Sequence, residues 1–249
     1  MTDTQPLTLL HTSDLHLGSD VLPEDKLKGF DQVILLARSE RVHALLISGD
    51  LFDSYTVSDD DVSYAFKALG SLSLPVIFLP GNHDINLLKS KLDLNQFGSN
   101  LYLIQDPIGE LINIPEIGLS IWGRPVYDHD PTFRPLEGLK PRPDKGWYVV
   151  MAHGICTGPT SGSATHYAYG RSSPISQIEL DQADCDYIAL GHVHFTRKES
   201  GIGTPAYYSG APSGIPEPGI LLVSMDSVGG TNVAKYKFNS LLNNNPEKI

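Results

Sequence analysis

LPGNHD, Leu79 to Asp84, follows directly on Val76, Ile77 and Phe78. The apolar run from Val76 to Leu79 reads as a short buried parallel strand, which Pro80 and Gly81 stop abruptly. Asn82, His83 and Asp84 then stand at the carboxyl end of that strand, where open α/β sheets bind their ligands. Taken alone, the same residues also suit an ordinary turn leading into a helix cap. Repetition removes the ambiguity. LTLLHTSDLH (Leu7 to His16), ALLISGDLFD (Ala44 to Asp53), WYVVMAHG (Trp147 to Gly154) and DYIALGHVH (Asp186 to His194) each run an apolar strand into Asp or His.

In chain order, Leu7 to Leu10 reads as the first strand and His11 to Gly18 as the loop after it. Asp31 to Arg41 spaces Val33, Ile34, Leu36 and Ala37 for a helix packed on the sheet. Ala44 to Ile47 is the second strand. Ser58 to Leu69 again has helical spacing, with Asp59, Asp60 and Asp61 suited to its first turn. Strand, helix, strand, helix, strand is a βαβ series. From there LYLI, ELINI and LSIW alternate with turn residues and show no crossover helix, which predicts mixed pairing and a second sheet packed on the first. Beyond His194, FTRKE, PAYYSG, ILLVSM and NVAKYKF read as short strands closing that second sheet, and the polar residues from Asn239 as a fraying end.

A chain of 249 residues with 41% hydrophobic content can bury a sizeable core and fits one large α/β domain spanning 1–249. The net charge of −11 argues for a soluble protein and against a dedicated duplex-binding face. Bound divalent ions can reverse the local sign in a cleft, so a nucleic acid substrate stays open. Cys156 and Cys185 form neither a zinc ribbon nor a disulfide scaffold, so a reducing cytoplasm is the expected location. No signal peptide is evident, and no apolar run approaches the ~18 residues of a membrane span.

Asp14, His16, Asp50, Asn82, His153, His192 and His194 are oxygen and imidazole donors. They suit a first-row ion such as manganese, iron or zinc and not a thiolate site. Together they exceed what one ion needs. Two divalent ions sharing a carboxylate use them well, and only Asp14 and Asp50 offset the added positive charge. Such a cluster attracts phosphate, clamps its oxygens and lets a bridging hydroxide attack in line.

DLH (Asp14 to His16), GDLFD (Gly49 to Asp53), GNHD (Gly81 to Asp84), the His153 of AHG and GHVH (Gly191 to His194) resemble, in order and spacing, the calcineurin-like metallophosphoesterase superfamily. The resemblance covers about residues 7–225 and implies the metallo-dependent phosphatase fold, a four-layer α/β/β/α sandwich of two mixed sheets. It implies two divalent metal ions, manganese first, with iron, zinc or magnesium as alternatives. Asp14, His16, Asp50 and His194 would hold the first and Asp50, Asn82, His153 and His192 the second, with Asp50 as the bridge. His83 would sit beside the scissile phosphate, stabilising the transition state or protonating the leaving oxygen, while Asp53 and Asp84 would orient histidine side chains. LLHTSDLHLGS, GDLFDS and DYIALGHVH followed by YYSGAPSG look most like the catalytic domain of the SbcD-type DNA repair exonuclease branch. Some nucleases of that branch have His where Asp53 stands, and the chain stops soon after the core strands. The expected activity is therefore a stand-alone phosphodiesterase on single-stranded DNA or a nucleotide-like diester. The alternatives are a phosphomonoesterase for a nucleotide or phosphoprotein, and a non-catalytic scaffold.

The remaining polar residues carry weaker signals. His43, His129 and His11 read as structural. His166, Tyr167, Tyr169 and Arg171 lie in the Gly- and Ser-rich stretch Thr157 to Ser173, where the tyrosines could stack a base. Arg124 and Arg171 could contact a second phosphate. The Pro-rich segment Arg124 to Gly146 reads as a long loop, either a rim over the site or disordered.

Overall fold

The computed structural model describes residues 5–53, 57–90, 93–128, 130, 132–157, 173–199, 203–213, 218–236 and 246–248. His129, His166, Tyr167, Tyr169 and Arg171 lie outside them.

The apolar strands that precede each Asp or His motif form the centres of two sheets. In the first, β1 (Leu7–Thr12), β2 (Ala44–Ser48), β3 (Val76–Leu79) and β4 (Leu101–Leu103) run parallel in that spatial order. In the second, β5 (Glu110–Ile114) pairs antiparallel with β6 (Leu119–Gly123). Beside β6 lie β7 (Trp147–His153) and β10 (Tyr187–Gly191), both parallel to it. The short strands β8 (Ile155–Thr157) and β9 (Pro174–Ser176) pair separately between them in the chain. β11 (Arg197–Lys198) and β12 (Ala206–Tyr208) complete the second sheet.

Period-two alternation along these strands builds three layers of packing. Leu9, Leu46, Ile77 and Leu79 face Ile121, Val149, Met151 and Ala189 of the second sheet. Their neighbours Leu10, Leu45, Ile47 and Phe78 turn the other way, onto α1 (Pro23–Ser39) and α2 (Asp59–Gly70), through Phe30, Val33, Phe66 and Leu69. On the far side Tyr148, Val150, Ile188 and Leu190 pack with Leu180 of α4 (Gln177–Gln182). This is the α/β/β/α sandwich expected of the sequence. The central strands are buried on both faces, mostly by apolar side chains, which is why they lack an alternating pattern.

Several local readings are corrected. α1 begins at Pro23, eight residues before Asp31, with Pro at its start and Glu24 and Asp25 in the first turn. A short helix, α3 (Ile85–Ser90), and a 3₁₀ turn at Leu94–Gln96 do connect β3 to β4, so LYLI joins the first sheet in parallel. ILLVSM and NVAKYKF, as β13 (Leu221–Asp226) and β14 (Gly230–Tyr236), close the first sheet by antiparallel pairing with β1, not the second. Of the end from Asn239, read as fraying, residues 246–248 pair with β14 as β15 (Pro246–Lys248), and the others lie outside the described residues. α2 carries a capping box in which Ser58 and Asp61 satisfy each other's backbone N–H groups, worth about 1 kcal/mol.

Segment 124–146 folds back on the loop after β3. Val126 N–H donates to Pro80 O at 3.1 Å, and Val126 and Phe133 cluster with Ile85. Only this part lies beside the site; further along, Arg142 pairs with Asp186 ahead of β10 and Gly146 lies against Gly118, at the other end of the sheets. No described helix is long and apolar enough to cross a membrane.

Candidate metal centre

The carboxyl ends of β1, β2 and β3 in one sheet meet those of β7 and β10 in the other, and every motif sits at one of these ends. The loops after β1 and β2 are tied together: Asp14 N–H donates to Gly49 O at 2.9 Å and His16 N–H to Asp50 O at 3.0 Å. To make these turns, Asp14, His16 and Asp50 adopt left-handed backbone with φ of 56°, 50° and 54°, and His192 has φ 101°. Such conformations cost about 1–3 kcal/mol each and concentrate at functional sites. Gly49, with φ +93°, has no room for a side chain, because an added Cβ would overlap the His153 ring. Gly191 likewise lies against Ser48 O, so both sheets approach backbone to backbone at the site.

Asp50 stands at the centre. Its Oδ1 accepts the His83 backbone N–H at 2.8 Å, while Oδ2 lies 3.3 Å from His153 Nε2 and 3.9 Å from His16 Nε2. On one side, His16 Nε2 is 3.3 Å from His194 Nε2, which is 3.6 Å from Asp14 Oδ1. On the other, Asn82 Oδ1 lies 3.1 Å from His153 Nε2 and 3.2 Å from His192 Nδ1. Among the described residues, three triads therefore have donor atoms within 4.8 Å of one another: Asp14, His16 and His194; Asp50, His153 and His192; and His16, Asp50 and His83.

This donor set fits divalent cations. Imidazole nitrogens converge on one another and on carboxylate oxygens, leaving lone pairs directed at common points. The His153 Nδ1 donates to Ser48 O at 2.9 Å, which leaves Nε2 as the atom facing Asp50 and Asn82 and the one a cation would bind once its proton is lost. Asp14, His16, Asp50 and His153 are buried, whereas the His194 side chain is 55% exposed and that of His83 35%, so the cluster opens to solvent on one side.

The electrostatics of the protein without cations show what such ions would displace. Burial works against the His153 imidazolium, but Asp50 and Asp14 outweigh it and push its pKa up to about 9. Burial, helped by neighbouring imidazoles, pushes His16 down to about 4 and His192 to about 3. The Asp50 carboxyl resists its own burial and is held well below the carboxylate range, chiefly by His153. Asp14 is raised by burial.

Around this cluster, Asp53 Oδ1 lies 3.0 Å from His83 Nδ1. Asp84 differs from expectation. Among the described residues its side chain accepts from the backbone N–H groups of Gly81, Leu51 and Phe52, at 2.9, 3.3 and 3.0 Å, so it braces the loops after β2 and β3 instead of a histidine ring. Burial and the Asp50 charge push its pKa up to about 7. The sequence reading missed Ser13 and Ser209. Ser13 Oγ donates to Asp14 Oδ2 at 2.5 Å and lies 2.8 Å from Ser209 Oγ. A hydroxyl next to Asp14 in TSDLH was a visible signal, but its partner is 196 residues away.

Other candidates fall away from the site. Arg124 donates to Pro107 O, Arg134 O and Glu137, and lies over Phe133. His43 Nδ1 accepts the Thr8 N–H, and buried His11 meets the Tyr187 hydroxyl at 2.9 Å. Cys156 and Cys185 are buried free thiols.

The family model for calcineurin-like phosphoesterases matches residues 7–195. Among solved structures, the chain is similar to a dimetal phosphatase from Danio rerio, at 13% identity and a TM-score of 0.60 over 92% of this chain and 95% of that one. It is similar to the protein TT1561 of Thermus thermophilus, at 10% identity and TM-score 0.60 over 93% and 99%. An archaeal phosphodiesterase aligns at 15% identity and TM-score 0.50 over 92% and 99%. At these identities the likeness is one of fold.

Proposed function

The chain belongs to the calcineurin-like phosphoesterase family, and from that premise we propose that it is a dinuclear-metal phosphodiesterase acting on nucleic acid or nucleotide-like diesters. The observation that carries this reading is the shared position of Asp50 between two groups of converging donors. In this reading Asp14, His16, Asp50 and His194 hold one ion, and Asp50, Asn82, His153 and His192 the other. Manganese is the expected metal. When bound, the two ions supply Lewis acidity and a water of strongly lowered pKa.

The chain's own residues do the rest. Ser48 O keeps His153 in its ligating tautomer, and Ser13 holds one Asp14 oxygen so that the other faces His194. His83 belongs geometrically to a third donor triad, yet its Nδ1 is taken by Asp53 and its backbone by Asp50. We read it as the group that contacts the leaving oxygen through Nε2 and delivers a proton there, with Asp53 positioning the ring.

A diester is favoured over a monoester by two features. The cluster is open at His194 and His83, which accommodates a substituent on either side of the phosphate. Arg124, the rim arginine that could clamp a terminal phosphate, is spent on Glu137 and on carbonyl groups. The resemblance of the motifs to the repair exonuclease branch makes single-stranded DNA the first nucleic acid to test, and the buried free thiols fit a reducing cytoplasm.

The test is hydrolysis of bis-p-nitrophenyl phosphate against p-nitrophenyl phosphate by chelator-stripped protein supplied with manganese. The diester should be preferred and activity should require the metal. Preference for the monoester, or activity without metal, contradicts the proposal.

A further inference from the structure

Beside the metal centre, a cavity of about 300 Å³ opens between α2 and α3. Phe52, Val57, Val62 and Leu87 line it together with five polar residues, His83 among them. His83 is thus shared, with its ring 4.7 Å from that of His16 on one side and lining the cavity on the other. A substituent on the oxygen that His83 protonates has this cavity as its adjoining concave surface.

Three properties narrow what fits. The volume lies at the low end for ligand pockets, enough for a single ring system and too little for a long acyl chain. The apolar part of the lining, three aliphatic side chains and the Phe52 ring, rewards a flat apolar face. The polar lining includes the Asp59 carboxylate and the exposed Ser90 hydroxyl, which accept hydrogen bonds, and Asp59 repels a second phosphate. An uncharged ring bearing N–H donors satisfies all three.

We propose that this cavity is the subsite for the heterocyclic base of the leaving nucleoside, so that the base, and not a second phosphate, sets specificity beside His83. The proposal rests on the phosphodiesterase reading above and adds the class of the leaving group.

The experiment uses the manganese-loaded full chain with the dinucleotide d(ApA) and two partners, each lacking the base of one residue. Removing the base of the leaving nucleoside should lower kcat/KM about tenfold or more, mainly through KM, as expected for losing one stacked base. In Val62→Trp, which fills the cavity, and Ser90→Phe, which narrows its exposed mouth without touching the core, that ratio should fall toward one. Cleavage of d(ApA) with no sensitivity to the leaving base, or sensitivity unchanged in both variants, overturns the subsite while leaving the phosphodiesterase reading intact. Failure of the protein to cleave d(ApA) or bis-p-nitrophenyl phosphate overturns that reading instead. The cavity is then judged by saturation-transfer NMR with adenosine: transfer to the base protons that Val62→Trp and Ser90→Phe abolish supports it, and no transfer overturns it.

Discussion

Asp53 Oδ1 and His83 Nδ1 face each other at 3.0 Å on the open side of the candidate metal centre, while the His83 backbone N–H holds Asp50. One residue thus links the carboxylate at the centre of the cluster to a partly exposed imidazole. The arrangement gives His83 a role separable from holding metal. His83→Ala should retain both ions and the fold while losing about 10²–10⁴-fold in kcat. Asp53→Asn, which leaves the ring in place but loosens its orientation, should lose about 10–100-fold. Metal content measured beside kcat decides the matter, because loss of an ion from His83→Ala would make it a ligand.

Metal binding should release protons, with a pH dependence set mainly by His153. Without cations its pKa is about 9, so at pH 8 the ring still carries a proton that a metal must displace, whereas His16 and His192, at about 4 and 3, are already neutral. At pH 8 Asp84, at about 7, is largely ionised and adds little. Affinity for the ion held by His153 should therefore rise about tenfold per pH unit up to about 9 and level off above it. Calorimetry in two buffers of different ionisation enthalpy should report about one proton released at pH 8; no release would contradict the charge assigned to His153.

Ser13 is expected to matter more than its size suggests. Ser13→Ala removes the hydroxyl that Asp14 Oδ2 accepts and leaves Ser209 without that partner. Affinity for the ion held by Asp14 should fall about 10–100-fold, with little change at the other position. Stepwise metal titration followed by hydrolysis checks this, and an unchanged first affinity would remove Ser13 from the account.

What the sequence made legible follows from the physics of each element. A strand buried on both faces is a largely continuous apolar run, and ligands sit at the sheet's carboxyl ends, so the five motifs could be read directly, while the place of Asp50 between two ions came from the family resemblance. α3 has six residues and only Ile85 buried, too short to display a helical period. The start of α1 was marked by Pro23, Glu24 and Asp25, but its apolar face begins only at Gly29 and Phe30. β13 and β14 looked like strands, yet their sheet depends on pairing Leu7 with Met225, which local periodicity cannot encode. The Ser13 to Ser209 contact and the backbone grip on Asp84 were hidden for the same reason, since both require distant loops to be brought together.

The most direct test of the central claim is metal counting combined with turnover in the wild type and in Asp50→Asn. Chelator-stripped wild-type protein should take up two equivalents of manganese, with bis-p-nitrophenyl phosphate hydrolysis appearing only as the second is filled. Asp50→Asn should weaken both sites and lose hydrolysis. Full activity with one equivalent, or a fully active Asp50→Asn, would contradict a centre built around a carboxylate shared by two ions.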